Sequence, residues 1–248
     1  MPAACRSGHA VVPELIWRDP ARVACDRVEC AVLTFMDSCY HEKMPMTYEG
    51  GAPVIRDSPA LDLANTYFAV RGKPREGLST PADVAAWVLE VAPQLDGIEL
   101  PAEELAEARE GDLALFLELR SAVRTLASDL TKGLSPAEGP VAVLNRAAAL
   151  APAAPVLTLT PQGALSKSAR ARSTAPRAAL SALARDAADL FSGERLQQLR
   201  DCQAPGCFLF FLKDHPRREW CTPACGMRVR ASRAYYKRTH ADEVSPGS

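Results

Sequence analysis

Cys202, Cys207, Cys221 and Cys225 form a C-x4-C pair, a thirteen-residue spacer and a C-x3-C pair. Two close pairs across a short loop bring four soft thiolates around one ion, and Zn²⁺ accepts that tetrahedral set without redox chemistry. Four protein ligands leave no position for a substrate water. The centre therefore reads as one structural Zn²⁺, with catalytic or redox use as the weaker alternative. His215 lies in the spacer and reads as a loop residue rather than a ligand, since four cysteines suffice.

The elements that must hold these thiolates are short. Pro205-Gly206 supplies the bend before Cys207, and Phe208-Leu209-Phe210-Phe211-Leu212 reads as a buried strand. A polar loop from Lys213 to Glu219 leads to Trp220, which is expected to pack over the site. Thr222 then caps a helix with Pro223 at its first position, so Cys225 projects from the first turn, where the helix N-terminus favours a thiolate. At about 100° per residue, Cys225, Val229 and Tyr236 share one face, anchored to metal and core. Arg230, Arg233 and Lys237 form the adjacent stripe.

Charge is placed unevenly. Residues 196–240 carry nine Lys/Arg (Arg200, Lys213, Arg217, Arg218, Arg228, Arg230, Arg233, Lys237 and Arg238) and three acids (Asp201, Asp214 and Glu219), hence +6. The whole chain carries −1, so the remainder carries −7. Four thiolates with Zn²⁺ add about −2 and leave the tip near +4. A basic tip on an acidic body fits a polyanionic partner, with Arg217, Arg218, Arg228, Arg230, Arg233, Lys237 and Arg238 as candidate contacts to DNA phosphates. The plainer reading is a solvated face that balances the anionic zinc–thiolate centre.

The rest of the 248 residues suffices for one sizeable core. With 48% hydrophobic and 24% charged residues, and no apolar run of about 18 or more, the composition is that of a globular domain without a membrane span. The N-terminus lacks a basic region followed by an apolar core, so no secretory signal is expected and the location is cytoplasmic. Reduced thiols there favour metal over disulfide. Residues 1–50 hold Cys5, Cys25, Cys30 and Cys39 with little periodicity. They read as a disordered extension or as sequence upstream of the true start. A second metal site from Cys25, Cys30, Cys39 and His41 is the sharper but weaker alternative.

From Ser58 to about Leu190 the chain reads mostly as helices. Asp57-Ser58-Pro59 starts one that includes Leu61, Leu63 and Ala64. Thr80-Pro81 with Asp83 caps Ala82–Glu90. Leu113, Leu117, Val123, Leu126 and Leu130 recur at helical spacing with Arg120 and Arg124 between them. Pro140 opens another helix through Leu150, and Pro176 to Leu190 forms a further one. Val156 to Thr160, with Pro161-Gln162-Gly163 before Ala164-Leu165, suggests one small hairpin. The expected fold class is mainly α: a multi-helical domain with a small β-hairpin, plus a C-terminal four-cysteine zinc finger of short strand and basic helix.

These residues carry a resemblance. Leu199-Arg200-x-Cys202-x-x-Pro205-Gly206-Cys207, then Arg217-Arg218-x-Trp220-Cys221-x-x-x-Cys225-Gly226-Met227-Arg228, resembles the bacterial CGNR zinc-finger proteins. Leu61-Asp62-Leu63-Ala64-Asn65-Thr66, Thr80-Pro81-Ala82-Asp83 with Trp87, and Leu119-Arg120 look like their N-terminal ABATE domain. The resemblance implies an ABATE-like helical domain over 58–192, a CGNR-like finger over 196–240 and a tail at 241–248. It implies a stress-responsive transcription regulator that binds double-stranded DNA through the finger. Two positions depart from the pattern. Met227 stands in place of the name-giving Asn, and Glu219 in place of the basic residue before Trp. They spare the ligands and bear on sequence readout.

Other readings remain open. Asn65 and Arg120 are candidate ligand-binding residues for a small-molecule effector. The plainer reading pairs Arg120 with Asp62 and has Asn65 capping or bonding backbone. The tip could instead serve RNA or protein, with Phe208, Phe210, Phe211, Tyr235 and Tyr236 supplying aromatics. A homodimer would suit paired half-sites, though no interface pattern is legible. There is no Gly-rich phosphate loop, H-E-x-x-H or G-x-S-x-G, and the four histidines lie outside the expected helical core, so no enzyme is expected.

Overall fold

The computed structural model describes residues 46–47, 51–70, 72–95 and 98–239. The alternative metal set Cys25, Cys30, Cys39 and His41, almost all of the expected extension 1–50, and the tail 241–248 lie outside the described residues.

A short central helix organises the body. Ser58 caps α1 (Pro59–Ala64), its hydroxyl accepting from the Leu61 amide, and every residue of α1 is buried. The sequence PALDLA is apolar all round except for Asp62, as a helix enclosed on all sides must be. It packs between α4 (Glu110–Thr131) and α6 (Ala175–Ser192). Leu113, Phe116, Leu119, Val123, Leu126 and Ala127 line the inner stripe of α4 at i, i+3, i+4 and i+7. α2 (Pro81–Val91) starts on the expected Thr80–Asp83 capping box and sends Trp87 inward, edge-on to Phe116 at 6.4 Å between centroids. Each fully buried large side chain contributes about 1.5–3 kcal/mol, so α1, α2, α4 and α6 supply most of the core. α3 (Ala102–Leu105) and α5 (Glu138–Ala149) complete the helical body. Among the described residues no helix is long and apolar enough to cross a membrane.

Strand pairs are more numerous than the sequence suggests. The expected hairpin exists but is longer, with β5 (Ala153–Leu159) paired to β6 (Leu165–Ala171) over seven residues. Two further pairs were not expected, β1 (Met46–Thr47) with β2 (Pro53–Val54), and β3 (Tyr67–Val70) with β4 (Lys73–Glu76), nor was a partner for the strand expected at 208–212. The β3–β4 turn is two residues long and Gly72 has φ +76°, the left-handed conformation such turns require.

In the C-terminal module, β7 (Leu199–Asp201) pairs antiparallel with β8 (Phe210–Leu212), and α7 (Pro223–Thr239) follows. The expected strand 208–212 narrows to 210–212 because Cys202 and Leu209 close the end of the knuckle, the Cys202 amide donating to the Leu209 carbonyl at 2.9 Å. β7 packs on α4, and β8 on α1.

Candidate zinc centre and nucleic-acid interface

The knuckle between β7 and β8 presents the first two thiols. The Cys207 amide donates to the Ala204 carbonyl at 2.9 Å, closing a tight turn in which Gly206 has φ +70°. A Cβ at Gly206 would stand 3.0 Å from the Cα of Gly72, so the knuckle and the β3–β4 turn meet backbone to backbone. The other two thiols sit at the start of α7. The Thr222 hydroxyl accepts from the Cys225 amide at 3.3 Å, as the capping pattern predicts. Trp220 lies over this first turn, 3.1 Å from where a Cβ on Gly226 would be.

The four Sγ atoms all lie within 4.8 Å of one another. Cys207–Cys221 and Cys207–Cys225 are separated by 3.7 Å, and Cys221–Cys225 by 3.5 Å. A tetrahedron with Zn–S bonds of about 2.3 Å has S···S edges near 3.8 Å, and a disulfide would need about 2.05 Å. The donor set and its spacing thus fit one structural Zn²⁺. Cys202, Cys221 and Cys225 are buried and Cys207 half-buried.

Protonation points the same way. Hydrogen bonds from Cys207 and then Cys221 hold the Cys202 thiol at about 7. The other three cysteines push Cys225 down as well. Bonds to Cys202 and Cys225, with burial, push Cys207 up, and bonds to the other three cysteines, with burial, push Cys221 up. Four thiolates this close cannot all ionise without a cation among them, and Zn²⁺ removes that conflict.

The basic residues divide into two groups. Arg228 is engaged within the module, and Arg218 by the module and the body together. Arg228 donates from Nη2 to the Cys225 Sγ at 2.9 Å, a charge-assisted bond to a zinc ligand. Arg218 pairs with Asp57 at 2.8 Å, reaches Asp214 at 3.3 Å and the Cys221 carbonyl at 3.2 Å, and lies over the Phe211 ring. Arg217, Arg230, Arg233, Lys237 and Arg238 are exposed. Tyr236 does not share the anchored face as expected. Cys225 and Val229 are buried, but Tyr236 is 62% exposed, because α7 runs past the edge of the body beyond Val229. Phe210 and Phe211 are buried in the core, Phe208 stacks on Tyr67, and Tyr235 is exposed beside Tyr236.

The two candidate effector residues are engaged inside the protein. Arg120 forms a two-pronged pair with Glu76, at 2.5 and 2.6 Å, and donates to the Thr66 hydroxyl. The expected Arg120–Asp62 pair does not form, because β4 delivers Glu76 to the guanidinium first. Burial pushes the Glu76 carboxyl up, but Arg120 and the Leu78 amide outweigh it and hold it below the usual range. Asp62 instead accepts from the Ile55 and Arg56 amides and from Gln94, while burial pushes it up to about 7. Asn65, fully buried, donates to the Phe210 carbonyl and accepts from the Phe210 amide, both at 2.9 Å.

Asn65 thus acts as an extra strand partner for β8 and fastens the module to α1. Asp57 does the same from the chain entry to α1, accepting from the Leu212 amide and pairing with Arg218. Sequence reasoning missed Asp57, Glu76 and Arg124. Arg124 alone left a trace, four residues after Arg120 on a helix that buries that side.

Two family models match the chain. One, ABATE, described as "Putative stress-induced transcription regulator", covers residues 57–194. The other, the CGNR zinc finger, covers residues 198–239. No curated protein matches the sequence.

Proposed function

Since the chain belongs to the ABATE family and ends in a CGNR zinc finger, we propose that it is a zinc-dependent transcription regulator that binds double-stranded DNA through α7. One observation carries this reading. α7 is fixed over its first two turns by Cys225 and Val229, and beyond that it projects Arg230, Arg233, Lys237 and Arg238 into solvent without a single carboxylate on the helix. A rigidly mounted cationic ridge suits phosphate contacts, with Arg217 on the neighbouring loop as a second arm. Arg218 and Arg228 support the tip rather than touch DNA. Zn²⁺, when bound, supplies the cross-link that holds the knuckle to α7.

In this reading the protein is a binder and not an enzyme, acting in the cytoplasm where thiols stay reduced. A homodimer would let two ridges read paired half-sites, and a small effector would act through the body on which the tip is mounted. Tyr235 and Tyr236, exposed on the same helix, favour single-stranded nucleic acid as the second reading, since aromatic stacking is sequence-tolerant.

The test is selection of genomic fragments by zinc-loaded protein at near-physiological salt, beside the Arg230/Arg233/Lys237 triple-Ala variant. Discrete enriched fragments, lost in the variant, are expected. Arg233→Ala should also reduce the slope of log affinity against log salt by about 0.9, as one lost phosphate contact does. Tighter binding to single strands than to duplex favours the second reading, and no enrichment with an unchanged salt slope refutes the ridge.

A further inference from the structure

Between α4, the β3–β4 hairpin and the zinc knuckle lies a cavity of about 380 Å³, within the range of small-molecule sites. Its walls include the Tyr67 and Phe208 rings and the zinc ligands Cys202 and Cys207. Arg124 and Ser128 line it from successive turns of α4 and Lys132 from its C-cap, spaced i, i+4 and i+8.

Arg124 is the unusual member. Its guanidinium is partly buried, yet no carboxylate pairs with it among the described residues. Nη1 donates to the carbonyls of Ala64 (2.7 Å) and Tyr67 (3.2 Å), and Nη2 to that of Phe208 (3.2 Å). The charge also lies over the Tyr67 and Phe210 rings, at 5.3 and 5.4 Å. Three of its five N–H groups thus go to carbonyls, while no carboxylate among the described residues balances the charge, an arrangement that burial penalises and a bound anion would relieve. Arg120, one turn away, is paired with Glu76, so that carboxylate is not free to balance Arg124. Lys132 adds a second cation, bonded to the Ser128 hydroxyl at 2.9 Å, and Asp201 is the only acid on the wall among the described residues. Apart from the zinc–thiolate centre, whose ligands Cys202 and Cys207 form one side, the lining carries +1 beside two near-parallel aromatic rings, 6.2 Å apart with 15° between their planes.

We propose that this cavity binds a small aromatic carboxylate, its carboxylate held by Arg124 and Lys132 and its ring set against Tyr67 and Phe208. An occupant would touch the body and the knuckle together. The carbonyls that Arg124 bonds come from both, Ala64 and Tyr67 on one side and Phe208 on the other. Occupancy would thereby bias how the zinc finger is held. This deepens the effector part of the proposed function and rests on it for its purpose; the binding itself is measured without DNA, so the two can fail separately.

The experiment is calorimetric titration of the full-length, zinc-loaded protein with benzoate, phenylacetate and indole-3-carboxylate, with benzamide and inorganic phosphate as controls. At least one carboxylate is expected to saturate with Kd below about 1 mM, some −4 kcal/mol, and at least about tenfold tighter than benzamide. Phosphate should bind more weakly, having no ring to place. Arg124→Gln should abolish binding. Because Arg124 also holds three carbonyls, Lys132→Ala is the cleaner variant. Lys132 is exposed and its removal leaves the core intact, so a loss of about fivefold with unchanged zinc content and melting temperature is expected. No saturation by any of the three up to about 10 mM, equal affinity for benzamide, tighter binding of phosphate, or wild-type affinity in Lys132→Ala would each overturn the assignment.

Discussion

Asn65→Ala tests whether the body and the zinc finger are one cooperative structure. Asn65 is fully buried and its amide closes both hydrogen bonds of Phe210, whose residue exposure is 6%. Truncation leaves a buried N–H and a buried C=O without partners, and each such group costs about 1–3 kcal/mol. A net loss of about 3 kcal/mol is expected, or roughly 6–12 °C in melting temperature for a chain of this size. Zinc should remain stoichiometric, because none of the four thiolates touches Asn65. The assay is thermal and urea unfolding with zinc in slight excess, together with amide exchange at Phe210, which should lose protection. Asn65→Asp sharpens the test. It keeps an acceptor for the Phe210 amide but sets a carboxylate oxygen against the Phe210 carbonyl. Burial raises such a carboxyl's folded pKa, so its stability should fall as pH rises. A change under about 0.5 kcal/mol in Asn65→Ala, with Phe210 protection intact, would refute the coupling.

Three further outcomes follow from the geometry. Arg228→Ala removes the N–H···S bond to Cys225, so zinc should stay bound at one equivalent but pass to a competing chelator several-fold faster; an unchanged release rate would mean the bond is incidental. In Asp62 the folded carboxyl sits at about 7 against an unfolded value of 3.8, so the folded state holds an extra proton between those values. Its stabilising effect is full below the lower value and is lost as pH rises through the upper one, by on the order of 4 kcal/mol. Asp62→Asn should flatten that fall in urea melts, and parallel curves for the two proteins would show the carboxylate to be ionised throughout. Gly206→Ala places a Cβ at φ +70° and 3.0 Å from Gly72, against backbone that cannot swing aside. A loss of about 1–3 kcal/mol is expected by urea unfolding, and a neutral result would show that the knuckle and hairpin can part freely.

What the sequence discloses depends on how far apart the interacting residues are. The capping box Thr80–Asp83, the Ser58 cap, the apolar stripe of α4 and the Cys pairs all act within a few residues, and each appears in the structure where its pattern puts it. The β3–β4 hairpin also acts locally but escaped, because Tyr67 to Glu76 contains a proline and three basic residues that dilute its alternation. Its one local signal was Gly72. Asn65 with Phe210, Asp57 with Arg218 and Arg120 with Glu76 span 145, 161 and 44 residues. No periodicity predicts which buried polar group finds which partner, only that one must be found. The Arg120–Asp62 expectation failed at that point: the need for a carboxylate was legible and its identity was not.

If α7 binds DNA as proposed, the same long-range bonds decide how its basic ridge works. A CGNR finger is too small to position a helix by its own core, since Cys225 and Val229 are the buried anchors on α7. Rigidity comes from the body instead. Phe210 is fixed by Asn65, Leu212 and Arg218 by Asp57, and Arg218 in turn holds the Cys221 carbonyl that leads into α7. Zinc closes the loop between the knuckle and that helix. Removing any one of these contacts leaves the charges of Arg230, Arg233 and Lys237 in place but lets their direction vary. Loss of duplex affinity in Asn65→Ala, with every arginine intact, would therefore separate orientation from charge as the source of binding.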